Sequence, residues 1–241
     1  SATHGATRGR ALGTAAEYVV LPAGNAVELP GSVSFEVGAC LGVPALTAHR
    51  CVFADGPVDG MTVLVTGGAG MVAHYAIELA KDAGAIVLAT ASTPRKREAA
   101  RAAGADQVVD YRQPGAADEI ARLAGAAGVQ RVVDVAFGAN LPLTSAVIAV
   151  NGTIAAYGSD AEPRPELPFY PLMRRGVTIR TVLVFVMPEP ARQAAIRDIT
   201  RLLATGRLSH PVAARFPLAQ TAAAHEYVEA GHGPGKVLIQ P

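Results

Sequence analysis

Apolar and polar residues alternate at 15–21 and again at 26–29, with proline and glycine turns between the two runs. A period of two predicts strands. Residues 34–46 change to helical spacing, in a helix that carries Thr47 and His49. From Thr62 onward, short continuous apolar runs alternate with helix-like stretches. A β-branched run from Thr62 breaks at glycine and leads into a helix at 71–83. Strands at 85–90, 107–109, 131–136 and 153–157 follow, separated by helices at 95–103, 116–123 and 143–149. A short helix at 170–175, a strand at 177–185 and a long amphipathic helix at 190–204, closed by Gly206, come next. The tail reads as a strand at 212–216, a helix at 219–229 and a strand at 236–239. Unbroken apolar runs mark strands buried on both faces, and their alternation with helices predicts an α/β fold with a doubly wound parallel sheet. The early strands and the closing one are expected to form a small β-rich domain that this sheet interrupts.

At the first break the chain reads Thr66-Gly-Gly68-Ala69-Gly70-Met71-Val72-Ala73. Gly68-x-Gly70-x-x-Ala73 after a strand and before a helix fits the dinucleotide fingerprint. Gly68 is expected to make the sharp turn, Gly70 to let the backbone approach a pyrophosphate, and Ala73 to keep helix and strand close. The helix N-terminus then offers its free N–H groups to two phosphates.

Where such a fold binds NAD, a carboxylate about 20 residues further on holds the adenine ribose. This chain instead has Thr90-Ala91-Ser92, with Arg95, Lys96 and Arg97 beyond. Like charges about 4 Å apart near a surface cost on the order of 4 kcal/mol before screening. The missing acid and the added cations both favour NADPH.

With 241 residues, half of them hydrophobic, the chain can bury a core for one or two domains. A net charge of +1, with 21 basic and 20 acidic residues spread without blocks, leaves no electrostatic footprint for nucleic acid or an anionic membrane. Apolar runs stop short of the ~20 residues a membrane span needs, and residues 1–14 are too polar for a secretory signal. A cytoplasmic protein is expected, and the start at Ser1 without methionine implies a longer gene product. Cys40 and Cys51 lie in apolar surroundings and read as core residues. His4, His49, His74, His210, His225 and His232 have no metal-ligand spacing, so no zinc is expected.

Several further segments carry a family resemblance: Gly13-Thr-Ala-Ala-Glu17-Tyr18, Gly38-Ala-Cys-Leu-Gly-Val-Pro44-Ala-Leu-Thr47-Ala-His, the fingerprint itself, Ala103-Gly-Ala-Asp106, Val109-Asp-Tyr111-Arg and Gly235-Lys236-Val. Together they resemble the medium-chain dehydrogenase/reductases, in the zinc-free quinone oxidoreductase and zeta-crystallin branch, from Gly13 to the C-terminus. The resemblance implies a Rossmann domain at 44–206. It also implies an incomplete GroES-like substrate domain at 1–43 and 207–241, most of whose N-terminal part is absent. It implies reduction of a quinone or conjugated enone by NADPH, in a homodimer that pairs through the strand ending near Phe185.

By position the resemblance places Thr47 near the nicotinamide and Ala69, Gly70, Met71 and Val72 at the pyrophosphate. Ser92, Lys96 and Tyr111 stand at the 2′-phosphate and adenosine, with Arg95 beside them. Asn140, Tyr157, Gly158 and Ser159, and Leu183, Val184 and Phe185, stand around the nicotinamide half. Met71 departs from a frequent glycine and is tolerable if its φ is negative. No residue is singled out as a catalytic acid, base or nucleophile. An NADPH-binding structural or regulatory protein without turnover, a polyketide-type enoyl reductase and a single-stranded RNA binder remain as alternatives.

Overall fold

The computed structural model of the chain describes residues 13–241. His4 and the first twelve residues of the expected β-rich domain lie outside the described residues. The described residues divide into two compact units, one of Pro44–Arg197 and one of residues 13–43 together with Asp198–Pro241.

The larger unit holds six parallel strands: β1 (Thr62–Val65), β2 (Ile86–Thr90), β3 (Gln107–Val109), β4 (Val129–Asp134), β5 (Ile148–Ala156) and β6 (Thr178–Thr181). Their order across the sheet is β3-β2-β1-β4-β5-β6. Its helices are α2 (Met71–Asp82), α3 (Pro94–Ala102), α4 (Ala116–Ala124), α5 (Phe137–Val147) and α6 (Phe169–Arg174), while α1 (Phe35–Phe53) begins and α7 (Glu189–Ala204) ends among residues of the smaller unit. This is the doubly wound arrangement that the strand–helix alternation predicts, and the order reverses between β1 and β4. Such a reversal opens a crevice at the carboxyl ends of the strands.

Register explains why the apolar runs are unbroken. Leu88, Leu64, Val132, Ile154 and Ile179 face one another across five neighbouring strands. With Ile120 of α4 and Val147 of α5 they form one layer of core. The intervening residues Val63, Val65 and Val87 are equally buried on the opposite face. Each such fully buried side chain contributes about 1.5–3 kcal/mol.

Helix α1 contains a break at Gly42, whose φ of 23° and ψ of −118° lie outside helical space. Glycine tolerates that conformation, and Pro44 restarts the helix where a backbone donor is dispensable.

In the smaller unit, β7 (Val212–Pro217) and β8 (Lys236–Gln240) pair in parallel, connected through α8 (Thr221–Glu229). Arg215 of β7 grips Glu36 of α1 with both guanidinium donors, at 2.6 and 2.8 Å, and Gln240 donates to the same carboxylate.

Three expectations need correction. Residues 15–21 and 26–29 form no strands. Tyr18 and Val20 stand exposed there, and a strand requires a neighbour that no described residue supplies. The expected strand at 177–185 stops at Thr181. Beside it β5 ends at Ala156, whose carbonyl takes the last ladder bond from the Val182 N–H at 2.8 Å, and Val184–Val186 then coil into a 3-10 turn. The helix expected at 143–149 begins six residues earlier, at Phe137. Burial of Leu141, Thr144 and Val147 offsets the interruption at Pro142.

Candidate functional site

Except for Thr47, the residues expected to hold a cofactor lie at or just beyond the carboxyl ends of the six parallel strands. Ala69 to Val72 follow β1, Ser92, Arg95 and Lys96 follow β2, and Tyr111 follows β3. Asn140 follows β4, Tyr157 to Ser159 follow β5, and Leu183 to Phe185 follow β6. The sheet thus brings residues far apart in sequence to one edge. Thr47 is buried on α1, one turn before the buried Cys51.

The turn after β1 departs from the division of labour its fingerprint predicts. Gly67, not Gly68, makes the sharp bend, with φ of 63°. Gly68 is a packing glycine: a Cβ there would lie 3.0 Å from the Cβ atoms of both Ala89 and Ala100, on β2 and α3. Gly70 is the N-cap of α2 and has no side chain to occupy the helix's first donors. The first intrahelical bond runs from the His74 N–H to the Gly70 carbonyl at 2.8 Å, so Met71, Val72 and Ala73 keep N–H groups that make no bond of the α-helical ladder. Met71 has a helical, negative φ, as a methionine at this position requires.

Neighbouring strand ends hold that turn. The Gly67 N–H donates to the Thr90 hydroxyl at 3.2 Å and the Gly68 N–H to the Thr90 carbonyl at 2.8 Å. On the other side the Thr66 hydroxyl donates to Asp134 Oδ1 at 2.8 Å and accepts from the Val135 N–H at 3.1 Å. Asp134 Oδ1 also accepts from the Ala136 N–H at 3.0 Å and from Asn140 Nδ2 at 2.7 Å. Asp134 is wholly buried, and its Oδ2 has no hydrogen-bond partner among the described residues.

Past β2, Thr93 caps α3 by accepting from the Lys96 N–H, and Pro94 takes the first helical position. Arg95 and Lys96 are exposed in that first turn. Arg97 does not join them as an expected third cation: its Nη1 lies 2.9 Å from Asp110 Oδ2. Asp110, directly after β3, also accepts from the backbone and side chain of Arg112. Partial burial pushes its carboxyl up, but the Arg112 backbone and side chain and the Arg97 charge more than offset this and hold it below its ordinary range. A carboxylate therefore stands at this corner after all, from the third strand instead of the second, with its charge engaged by two arginines.

After β5, the Ser159 hydroxyl accepts from the Gly138 N–H at 2.9 Å and donates to the Glu162 carbonyl at 2.6 Å. It joins this loop to the first turn of α5. Burial drives the Tyr157 phenol far above its usual range, with Cys51 and Asp134 adding to the shift, so it keeps its proton at neutral pH. Burial also pushes the Cys51 thiol up to about 12, and Cys40 is raised for the same reason. Both cysteines are free and buried. Among the described residues, no three His, Cys, Asp or Glu side chains gather as a metal site, and no helix is long and apolar enough to cross a membrane.

Sequence reasoning missed Asp134, Thr90 and Asp110. The first had a visible signal: an acid closing the otherwise apolar run Val132-Val133-Asp134.

Residues 103–239, more than half of the chain, match the model of a family described as zinc-binding dehydrogenase. The chain is 26% identical to a quinone oxidoreductase of Homo sapiens over 230 residues, covering 93% of this chain and 68% of that protein. Among solved structures it resembles an NAD-dependent alcohol dehydrogenase with a TM-score of 0.85 at 33% identity, covering 95% of this chain and 65% of that one. It also resembles mycobacterial Rv1454c complexed with NADPH, with a TM-score of 0.79 at 29% identity, covering 89% and 67%. The chain thus spans about two thirds of the length of each of these relatives.

Proposed function

The chain belongs to the medium-chain dehydrogenase/reductase superfamily, in its zinc-free, quinone-oxidoreductase-like branch, and from that premise we propose that it is an NADPH-dependent oxidoreductase acting on a quinone or conjugated enone. The observation that carries this reading is the pairing of two anion-binding features on adjacent strand ends. The uncapped N-terminus of α2 offers the N–H groups of Met71, Val72 and Ala73 to a diphosphate. The first turn of α3 presents Arg95 and Lys96 where NAD-specific sites carry an acid. Gly68 supports the fit, because a side chain there would force α3 away from β2.

Ser92 and Tyr111 border the adenosine end, and Thr47, Asn140, Tyr157 to Ser159 and Leu183 to Phe185 border the nicotinamide end. When bound, NADPH supplies the hydride. The chain's own part is to align the reacting groups, exclude water and meet the charge that develops on the acceptor oxygen with polar groups. Residues up to Val43 with those from Asp198 onward read as part of a GroES-like substrate domain, and the edge strand β6 as the seam of a homodimer.

Side-by-side titrations test the cofactor. NADPH should bind more tightly than NADH, and Lys96→Ala should cost about tenfold in NADPH affinity, the worth of one charge-assisted contact, while leaving NADH binding unchanged. Equal affinity of the unaltered protein for the two nucleotides would overturn the assignment. NADPH oxidation followed against a panel of quinones and enones tests the reaction, and an absence of turnover with all of them by a protein that binds NADPH would favour a structural or regulatory role.

A further inference from the structure

We propose that Asp134 is a positioning residue: through one carboxylate oxygen it fixes the nicotinamide-side segment after β4 against the diphosphate turn after β1. This rests on the cofactor reading above. Oδ1 takes three donors, from Thr66 in the last position before the diphosphate turn, from the Ala136 backbone at the mouth of α5, and from the Asn140 amide one turn into that helix. Thr66 closes the ring by accepting from the Val135 N–H. The end of β1 and the beginning of α5 therefore share a single acceptor.

Stability alone does not account for this arrangement. A buried carboxylate is costly to desolvate, and Oδ2 is enclosed without any partner among the described residues. An apolar side chain would fill the space at lower cost. What it could not do is receive three donors in fixed directions. The amide of Asn140, held by Asp134 through Nδ2, keeps its carbonyl oxygen in a set orientation at the end of the crevice where the nicotinamide is assigned. Asp134 makes no such bond to the adenosine side, where Thr90, Thr93 and Asp110 do the holding.

The test separates the two ends by calorimetric titration with intact NADPH and with 2′,5′-ADP, a fragment that lacks the nicotinamide. In Asp134→Asn, NADPH affinity should fall about tenfold, as for a weakened charge-assisted network, while 2′,5′-ADP affinity stays within about twofold. Asn140→Ala, which keeps the carboxylate and removes only the amide, should show the same split and serves if Asp134→Asn fails to fold. Parallel losses for both ligands would reduce Asp134 to a general structural role and overturn the proposal, as would unchanged NADPH binding in both variants. Failure of the unaltered protein to bind either ligand would instead strike at the cofactor reading and take the proposal with it.

Discussion

Replacing Gly68 by alanine adds one carbon at a tight junction of the turn after β1. The new Cβ would sit 3.0 Å from the Cβ of Ala89 and 3.0 Å from that of Ala100, with the Thr90 carbonyl at 3.5 Å. Neither methyl can rotate away, because each is fixed to the backbone of β2 or α3. Relief requires α3 to move outward by a few tenths of an ångström. Overpacking of this kind costs about 1–3 kcal/mol. Against it, loss of glycine's freedom in the unfolded chain returns about 0.4–1 kcal/mol. Gly68 does not have a left-handed φ, so no backbone penalty is added. The net destabilisation is about 1–2 kcal/mol, or a fall in Tm of roughly 2–8 °C for a chain of this size.

Urea denaturation followed by far-ultraviolet circular dichroism measures this change. Ala100→Gly removes one of the two opposing methyls, and alone it should cost about 1 kcal/mol as a glycine inside a helix. Combined with Gly68→Ala it should cost distinctly less than that, because the two changes relieve one another. NADPH affinity should fall in Gly68→Ala and partly recover in the double variant. A Gly68→Ala protein as stable as the original, or strict additivity in the double variant, would refute the packing argument.

Two further outcomes follow from the ionisable groups. The Arg180 hydrogen bond lowers the Asp55 carboxyl, only partly opposed by burial. A depressed folded-state value gives stability that is full above the unfolded value of about 3.9 and is lost as pH falls through the lower folded one. Asp55→Asn should therefore flatten the fall of the urea midpoint below about pH 4, and an unaltered slope would contradict the pairing. Because burial holds the Cys51 thiol up to about 12 and raises Cys40, neither should react rapidly with Ellman's reagent in the native protein near neutral pH, and both should after denaturation. Prompt native reaction of either thiol would show that its surroundings are more open.

The parallel sheet was legible because its strands are buried on both faces, leaving runs such as Val63-Leu64-Val65 and Val132-Val133 that have no other economical reading. Element ends were less so. The strand expected to reach Phe185 stops at Thr181 because its neighbour ends, which is a property of β5 and not of the residues in question. The first strands failed for a related reason: alternation states a preference, but only a paired neighbour realises it. In the candidate site the fingerprint misassigned the bend, which falls at Gly67 and not Gly68, since the two glycines differ only in what surrounds them. The charge reading at the adenosine corner counted Arg97 as available, because the acid that engages it is thirteen residues away and returns to it only through β3.

The turn after β1 owes its shape to bonds from Thr66 and Thr90, side chains that most glycine-counting patterns ignore. Its third small position is alanine, with a methionine two places earlier. The geometry of the turn is therefore set by two hydroxyls and one buried aspartate at the ends of the neighbouring strands, not by its glycines alone. For protein engineering the same fact marks Met71 as the place to attach a fluorescent reporter of nucleotide occupancy, since the backbone there is dictated from elsewhere.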